Sequence, residues 1–280
     1  LAQLFSRDRL ALQYGNDIDN VSLLANLRRL RDLNLAGNQR LTDVSPILAL
    51  PRLADLDLRD TSVADFSQLS TIPLLSRLGV TGSAANLAPV YQLSQLEELR
   101  LVNSTGVDIN AIAAMTHLRE LDLSGNGLSD LSPLAAMTNL ELLYISYNPV
   151  ADLSFLRSLV NLKHLTASFI GSTADLSVIN ELTGLTHLIL DGNGLTSLDQ
   201  FSNLTNLRLF ASGVRFRNDG TISNIDAVVN FPQLEHLNLD GNQVADISAL
   251  NSLTNLNYVS FNGNRITTIG NALDNVVFGG

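Results

Sequence analysis

The sequence predicts an α/β solenoid: a curved horseshoe with a parallel β-sheet on its concave face and short 3₁₀ or single-turn helical segments on its convex face. Three observations lead there. The pattern LxxLxLxxN recurs in steps of 21 to 23 residues, with one step of 27. Ten residues before each copy stands a short side chain whose oxygen can cap a backbone N–H: Asn20, Asp43, Asp65, Asn86, Asp108, Asp130, Asp152, Asp175, Ser197, Asn224, Asp246 and Thr268. An apolar residue follows each of them at once, from Val21 and Val44 to Ile247 and Ile269.

Each part of the repeat has its own physical reason. The LxL alternation, as in Leu121 and Leu123, makes a short strand whose leucines share one face. The asparagine, as in Asn126 and Asn242, stands where the chain turns off the strand, and its amide can bond backbone groups of neighbouring coils. The column residue then caps a short helical turn. Apolar residues one, four and seven places after it, such as Leu131, Leu134 and Met137, face inward against the strand leucines. Ser-Pro pairs at Ser45-Pro46 and Ser132-Pro133 fit the first helical positions, where the N–H that proline lacks has no intrahelical partner to lose. So few residues per return favour 3₁₀ geometry over long α-helices.

The repeat makes residues 1–280 one leucine-rich repeat domain of about twelve coils, with a core that runs from coil to coil. Solenoids need covered ends. Arg7 is polar at a core leucine position and Asn275 stands where an apolar residue is expected, so we expect a domain excised from a longer chain. The formal charge of −10 argues against nucleic acid or an anionic membrane as partner. The chain has no cysteine, which removes disulfides and thiolate metal sites. No run of 18 apolar residues could insert in a membrane. The chain contains no glycine-rich phosphate loop, HExxH, GxSxG or EF-hand spacing. No enzyme activity, catalytic residue, metal or cofactor is therefore expected. Three histidines, His164, His187 and His236, share one motif position, but no third ligand stands near the first two.

Function then falls to the motif positions that point away from the core. Coils two to six place mostly polar groups there, among them Asn34, Asp55, Asp57, Arg59, Arg77, Arg100, Asn103 and Glu120. From Leu140 the character changes. Leu142, His164, His187 and Leu209 should form one lateral row; Tyr144, Thr166, Ile189 and Ala211 the next; Tyr147, Phe169 and Val214 flank a third, interrupted by Gly192. A contiguous apolar patch on a surface marks recognition, and large aromatics are typical anchors. The same stretch departs from the motif at Ile170 and Arg215, where asparagine is expected. The coil from Leu207 is extended, and its Arg215, Phe216 and Arg217 could grip an acidic partner beside the patch.

The unit LxxLxLxxN followed by the column residue, an apolar residue and Ser-Pro-Leu is carried most fully by Leu118–Met137, with Leu140–Leu159 close to it. It resembles the 22-residue repeats of bacterial internalins. That resemblance implies a monomeric secreted or cell-surface protein of a bacterium that binds another protein, such as a host or cell-surface receptor, through its concave face. The helical cap and immunoglobulin-like domain that flank internalin repeats have no counterpart in this sequence. Two other readings stay open on sequence alone. One is an intracellular scaffold resembling the similarly repeated regulatory subunit of protein phosphatase 1. The other is a glycan-binding surface module built on Tyr144, Tyr147 and Phe169.

Overall fold

The computed structural model describes residues 8–171, 174–214, 220–269 and 277–278. The chain divides into two compact units, Leu1–Asn126 and Gly127–Gly280. In the first, parallel strands follow one another in chain order: β1 (Arg9–Ala11), β2 (Asp32–Asn34), β3 (Asp55–Leu58), β4 (Arg77–Val80), β5 (Glu98–Leu101) and β6 (Glu120–Asp122). The second repeats the arrangement with β7 (Leu142–Tyr144), β8 (His164–Thr166), β9 (His187–Ile189), β10 (Leu209–Ala211), β11 (His236–Asn238), β12 (Tyr258–Ser260) and β13 (Val277–Phe278). Returns between strands are single 3₁₀ turns such as Ser132–Ala136 and Ser154–Ser158. Among the described residues two coils of the first unit use short α-helices instead, α1 (Ala84–Leu87) and α2 (Ile109–Ala113). The expected parallel sheet and tight returns are therefore present in each unit.

Strand leucines and return residues meet in the core. In the second unit Leu143, Ile145, Leu153, Leu156 and Leu159 are all buried, as the seven-residue spacing after the column requires. In the coil from Leu207 the pattern bends. Phe210 replaces a strand leucine and packs against Phe201 and Phe231, with ring centroids 5.9 and 6.2 Å away. Ser212, which stands where a leucine is usual, is buried in the same coil.

The column residues cap the returns. Asp43, Asp65, Asp130, Asp152 and Asp246 each accept the N–H of the serine two places on, at 2.8 Å. Hydrogen bonding by these serines, through the side chain as well as the backbone N–H, holds the five carboxyls below the ordinary aspartate value. Asp108 accepts two N–H groups at the start of α2. Asn86 departs from the expectation: it is the third residue of α1, and its side chain accepts the N–H of Ser83, which is the capping residue there.

A second ladder runs along the strand ends. The amide of Asn193 donates to Ala167 O of the preceding coil (2.7 Å) and to Leu190 O of its own (3.1 Å), and its oxygen accepts the N–H of Ile170 (3.0 Å). Asn38 and Asn126 do the same in the first unit, Asn242 and Asn264 in the second. Ile170 has no amide and is buried as an apolar residue. Replacing Asn193 by Ala should strand three backbone groups and cost roughly 2–4 kcal/mol in a urea titration. An Asp152→Ala change at an exposed cap should cost clearly less, and equal losses would contradict this division of roles.

Candidate functional site

In the first unit the outward sheet face is a web of ion pairs. Arg77 lies across the strands, with Nε 2.9 Å from Asp55 and more distant contacts to Asp32 and Glu98. Arg100 pairs with Glu98 and reaches Asp55 (3.3 Å) and Asp57 (3.4 Å). Asp57, expected to be solvated, is only 2% exposed. Its carboxylate accepts the Arg59 N–H and pairs with the Arg59 guanidinium at 2.8 Å. Burial pushes this carboxyl up, but the contacts with Arg59 outweigh it and hold the value below normal. Gly79 makes room for the pair, since a Cβ there would lie 2.7 Å from Asp57 Oδ1. An open hollow over β1–β3 is lined by Arg9, Asp32, Asp55, Asp57 and Arg100, whose charges already face one another.

In the second unit the strand register assembles the rows that the repeat spacing predicts. Leu142, His164, His187 and Leu209 are successive lateral partners; so are Tyr144, Thr166, Ile189 and Ala211. All are half-buried, because each side chain covers part of the next. His164 sits between two rings: Tyr144 at 5.0 Å, tilted 45°, and His187 at 5.3 Å, parallel within 1°. Hydroxyls hold the imidazoles, with His164 Nε2 2.9 Å from Thr166 Oγ1 and His187 Nδ1 2.9 Å from Thr186 Oγ1. Burial lowers both values below the ordinary imidazole pKa. His187 adds to the effect on His164; Arg208 and His236 add to it on His187, partly offset by Glu235. Both rings are therefore neutral at pH 7, and the row reads as apolar.

The turn after the strands carries a feature that repeat spacing alone did not reveal. At the position before the asparagine the backbone is left-handed, and glycine fills it at Gly37, Gly125, Gly192, Gly241 and Gly263. Tyr147 (φ 57°) and Phe169 (φ 54°) occupy it with full side chains, a conformation that disfavours L-residues by about 1–2 kcal/mol each. Their rings stack at 5.0 Å and 10°, and Tyr147 remains 63% exposed. Phe169 in turn lies over Gly192, where any Cβ would collide with its ring. Gly192 does not interrupt this row, as expected from sequence; it is the seat of the second ring. Val214 is partly exposed beyond it, its N–H bound to Asp240 O (2.7 Å). Arg215, Phe216 and Arg217 lie outside the described residues, as do Arg7 and Asn275.

One position earlier runs a line of side-chain oxygens that sequence reasoning also missed. Ser146 Oγ accepts the N–H of Ser168 (3.0 Å), Ser168 Oγ that of Asp191 (3.1 Å), and Asp191 Oδ1 that of Gly213 (2.7 Å). Each spans from one coil to the next. The signal was present in the seventh motif position, where Ser146, Ser168, Asp191 and Asp240 all carry short oxygen side chains.

Two outcomes test this geometry. Tyr147→Gly removes an exposed ring and relieves the left-handed backbone, so the melting temperature should hold or rise; a clear fall would mean the ring stack stabilises more than the backbone strain costs. For the imidazoles, the folded values lie below the unfolded one of about 6.5. The unfolded chain therefore binds more protons on acidification, and the stability due to the neutral rings is present above pH 6.5 and lost as pH falls through the folded values. The loss of melting temperature between pH 7 and 5 should be smaller in His187→Gln, and an unchanged slope would remove the pair from the cause.

Known proteins share this architecture. Leucine Rich repeats (2 copies) match residues 232–275, and a single Leucine Rich repeat matches residues 114–131. No curated protein matches the chain in sequence. Among solved structures, the internalin inlF of Listeria monocytogenes is 24% identical, with a TM-score of 0.70 over 99% of this chain and 87% of that one. The functional domain of InlJ from Listeria monocytogenes, which includes a cysteine ladder, is 22% identical, with a TM-score of 0.54 over 95% of this chain and 65% of that one. A leucine-rich repeat protein of Leptospira interrogans is 17% identical, with a TM-score of 0.55 over 99% and 88%. The chain is a leucine-rich repeat protein, and its fold resembles that of the internalins.

Proposed function

We propose that this chain is a non-enzymatic recognition protein of a bacterial surface or secretome. It would bind another protein through the outward face of β7–β10 and the turns that follow. The observation that carries the reading is the pair of apolar rows, Leu142–His164–His187–Leu209 and Tyr144–Thr166–Ile189–Ala211, left open to solvent on one side of the sheet. The first unit, by contrast, fills the same positions with mutually paired charges. A face of aliphatic and aromatic side chains, with imidazoles held neutral, buries well against a protein surface and offers little to nucleic acid. The likeness to Listeria internalins supports a role outside the bacterial cell.

Tyr144→Ser combined with Ile189→Ser tests the reading, since neither side chain belongs to the leucine core. The variant should keep its circular dichroism spectrum and melting behaviour while losing at least about 90% of the partner captured by the wild type, a loss that corresponds to roughly 1.4 kcal/mol. Undiminished capture by a folded variant would put the interface elsewhere. Protease added outside intact source cells should cleave the protein or find it in the medium, and complete protection would sink the surface role.

A further inference from the structure

We propose that the turn edge beside this face is a subsite for a guanidinium: the stacked pair Tyr147–Phe169 and the carboxylate of Asp191 together receive an arginine side chain of the partner. The proposal rests on the recognition reading above and names the chemistry at one end of it.

Three features point to that ligand. The rings of Tyr147 and Phe169 stand in left-handed backbone at a turn position held by glycine in five coils and by Tyr14, Asp60 and Asn103 in three more, so two adjacent bulky side chains are kept there against the local conformational preference. Their stacking is nearly parallel, and Tyr147 is largely exposed, which leaves a flat π surface open to solvent. Phe169 extends that surface over Gly192, and Asp191 directly precedes this glycine in the chain. The Asp191 carboxylate is half-buried, and one oxygen is spent on the Gly213 N–H. Among the described residues no arginine, lysine or histidine forms an ion pair with it. Burial and the nearby Asp240 charge push its carboxyl up despite the Gly213 hydrogen bond, the condition of an acid that lacks a countercharge. The Phe169 N–H donates to Asp191 O at 2.8 Å, so the residue that bears the carboxylate is the direct neighbour of the one that bears the ring.

A guanidinium satisfies both halves at once: its planar face lies on the rings and its N–H groups reach the carboxylate. A sugar would need several hydroxyl partners near the rings. The hydroxyls at hand, Ser146 and Ser168, are buried, and their oxygens accept backbone N–H groups. The acidic balance of the chain, −10, favours a cationic ligand in addition.

The test uses the whole 280-residue chain and small probes, so no partner need be known. N-acetyl-arginine methylamide should shift the ring resonances of Tyr147 and Phe169 and the carboxyl carbon of Asp191. Its uncharged isostere, N-acetyl-citrulline methylamide, should bind roughly tenfold more weakly. Phe169→Gly, which suits the left-handed backbone, and Asp191→Asn should each weaken the arginine probe by a similar factor, with circular dichroism showing that both variants fold. Equal shifts from both probes, or none from either, would overturn the proposal. So would ring shifts from lactose in place of arginine, which would make the shelf a glycan platform. Binding that appears only after Arg215→Ala and Arg217→Ala would mean the chain fills the subsite itself, and the partner's arginine would be ruled out. The Tyr144→Ser/Ile189→Ser variant separates the two proposals, because it should lose the partner yet keep the probe. If the probe fails while that variant still abolishes capture, only the subsite falls. If the probe binds but capture is undiminished, the recognition face falls.

Discussion

The chain turns off a strand after three or four residues, and at each turn backbone donors and acceptors point inward where water cannot reach them. The asparagine amide answers that demand. One side chain supplies an acceptor and a donor to the preceding coil and a second bond within its own. Coil stacking therefore depends on a polar contact set among leucines, because an unsatisfied buried amide costs more than most apolar contacts return. Once those bonds fix the spacing, the leucines meet at a constant depth and the alternate strand positions are forced outward. The binding rows are the remainder of that arrangement.

Much of this was legible in the sequence. The LxL alternation placed the strands, and the column aspartates placed the returns, because a carboxylate two residues before a serine N–H acts locally and needs no tertiary context. The lateral rows followed from in-register parallel pairing, so His164 and His187 could be put in one row with Leu142 and Leu209, and Tyr144 in the next, whereas the contact of the Tyr144 ring with His164 across the rows could not. What failed to show was lateral and conformational. Asp57 looks like a surface charge; its burial depends on Gly79 in the next coil and on Arg59 folding back over it. Asn86 sits in the same column as the capping residues, but the local sequence lets Ser83 start a true helical turn three residues earlier. The left-handed backbone at Tyr147 and Phe169 is also invisible to a hydrophobicity pattern, which records that a residue is aromatic and not the torsion that holds it.

The two units apply one repeat to different ends. In the first, outward positions carry opposite charges that neutralise one another, and an arginine such as Arg100 serves three carboxylates. Largely buried pairs of this kind lose hydration as they gain attraction, so their net contribution to stability is small, but they leave few unmatched groups for a partner. In the second, rings and aliphatic side chains take the same positions, and the polar atoms among them are turned to backbone or hydroxyl partners. The change is one of composition at fixed geometry: the scaffold does not alter, and surface chemistry is set residue by residue on top of it.

The seating of Phe169 over Gly192 reaches beyond the contact itself. Two positions 23 residues apart cannot drift independently. A side chain acquired at 192 would evict the ring, and with a small residue at 169 the glycine would no longer be held by that constraint. Related chains should therefore keep the aromatic only where they keep the glycine, so that these two positions change together while core positions are held merely to be apolar.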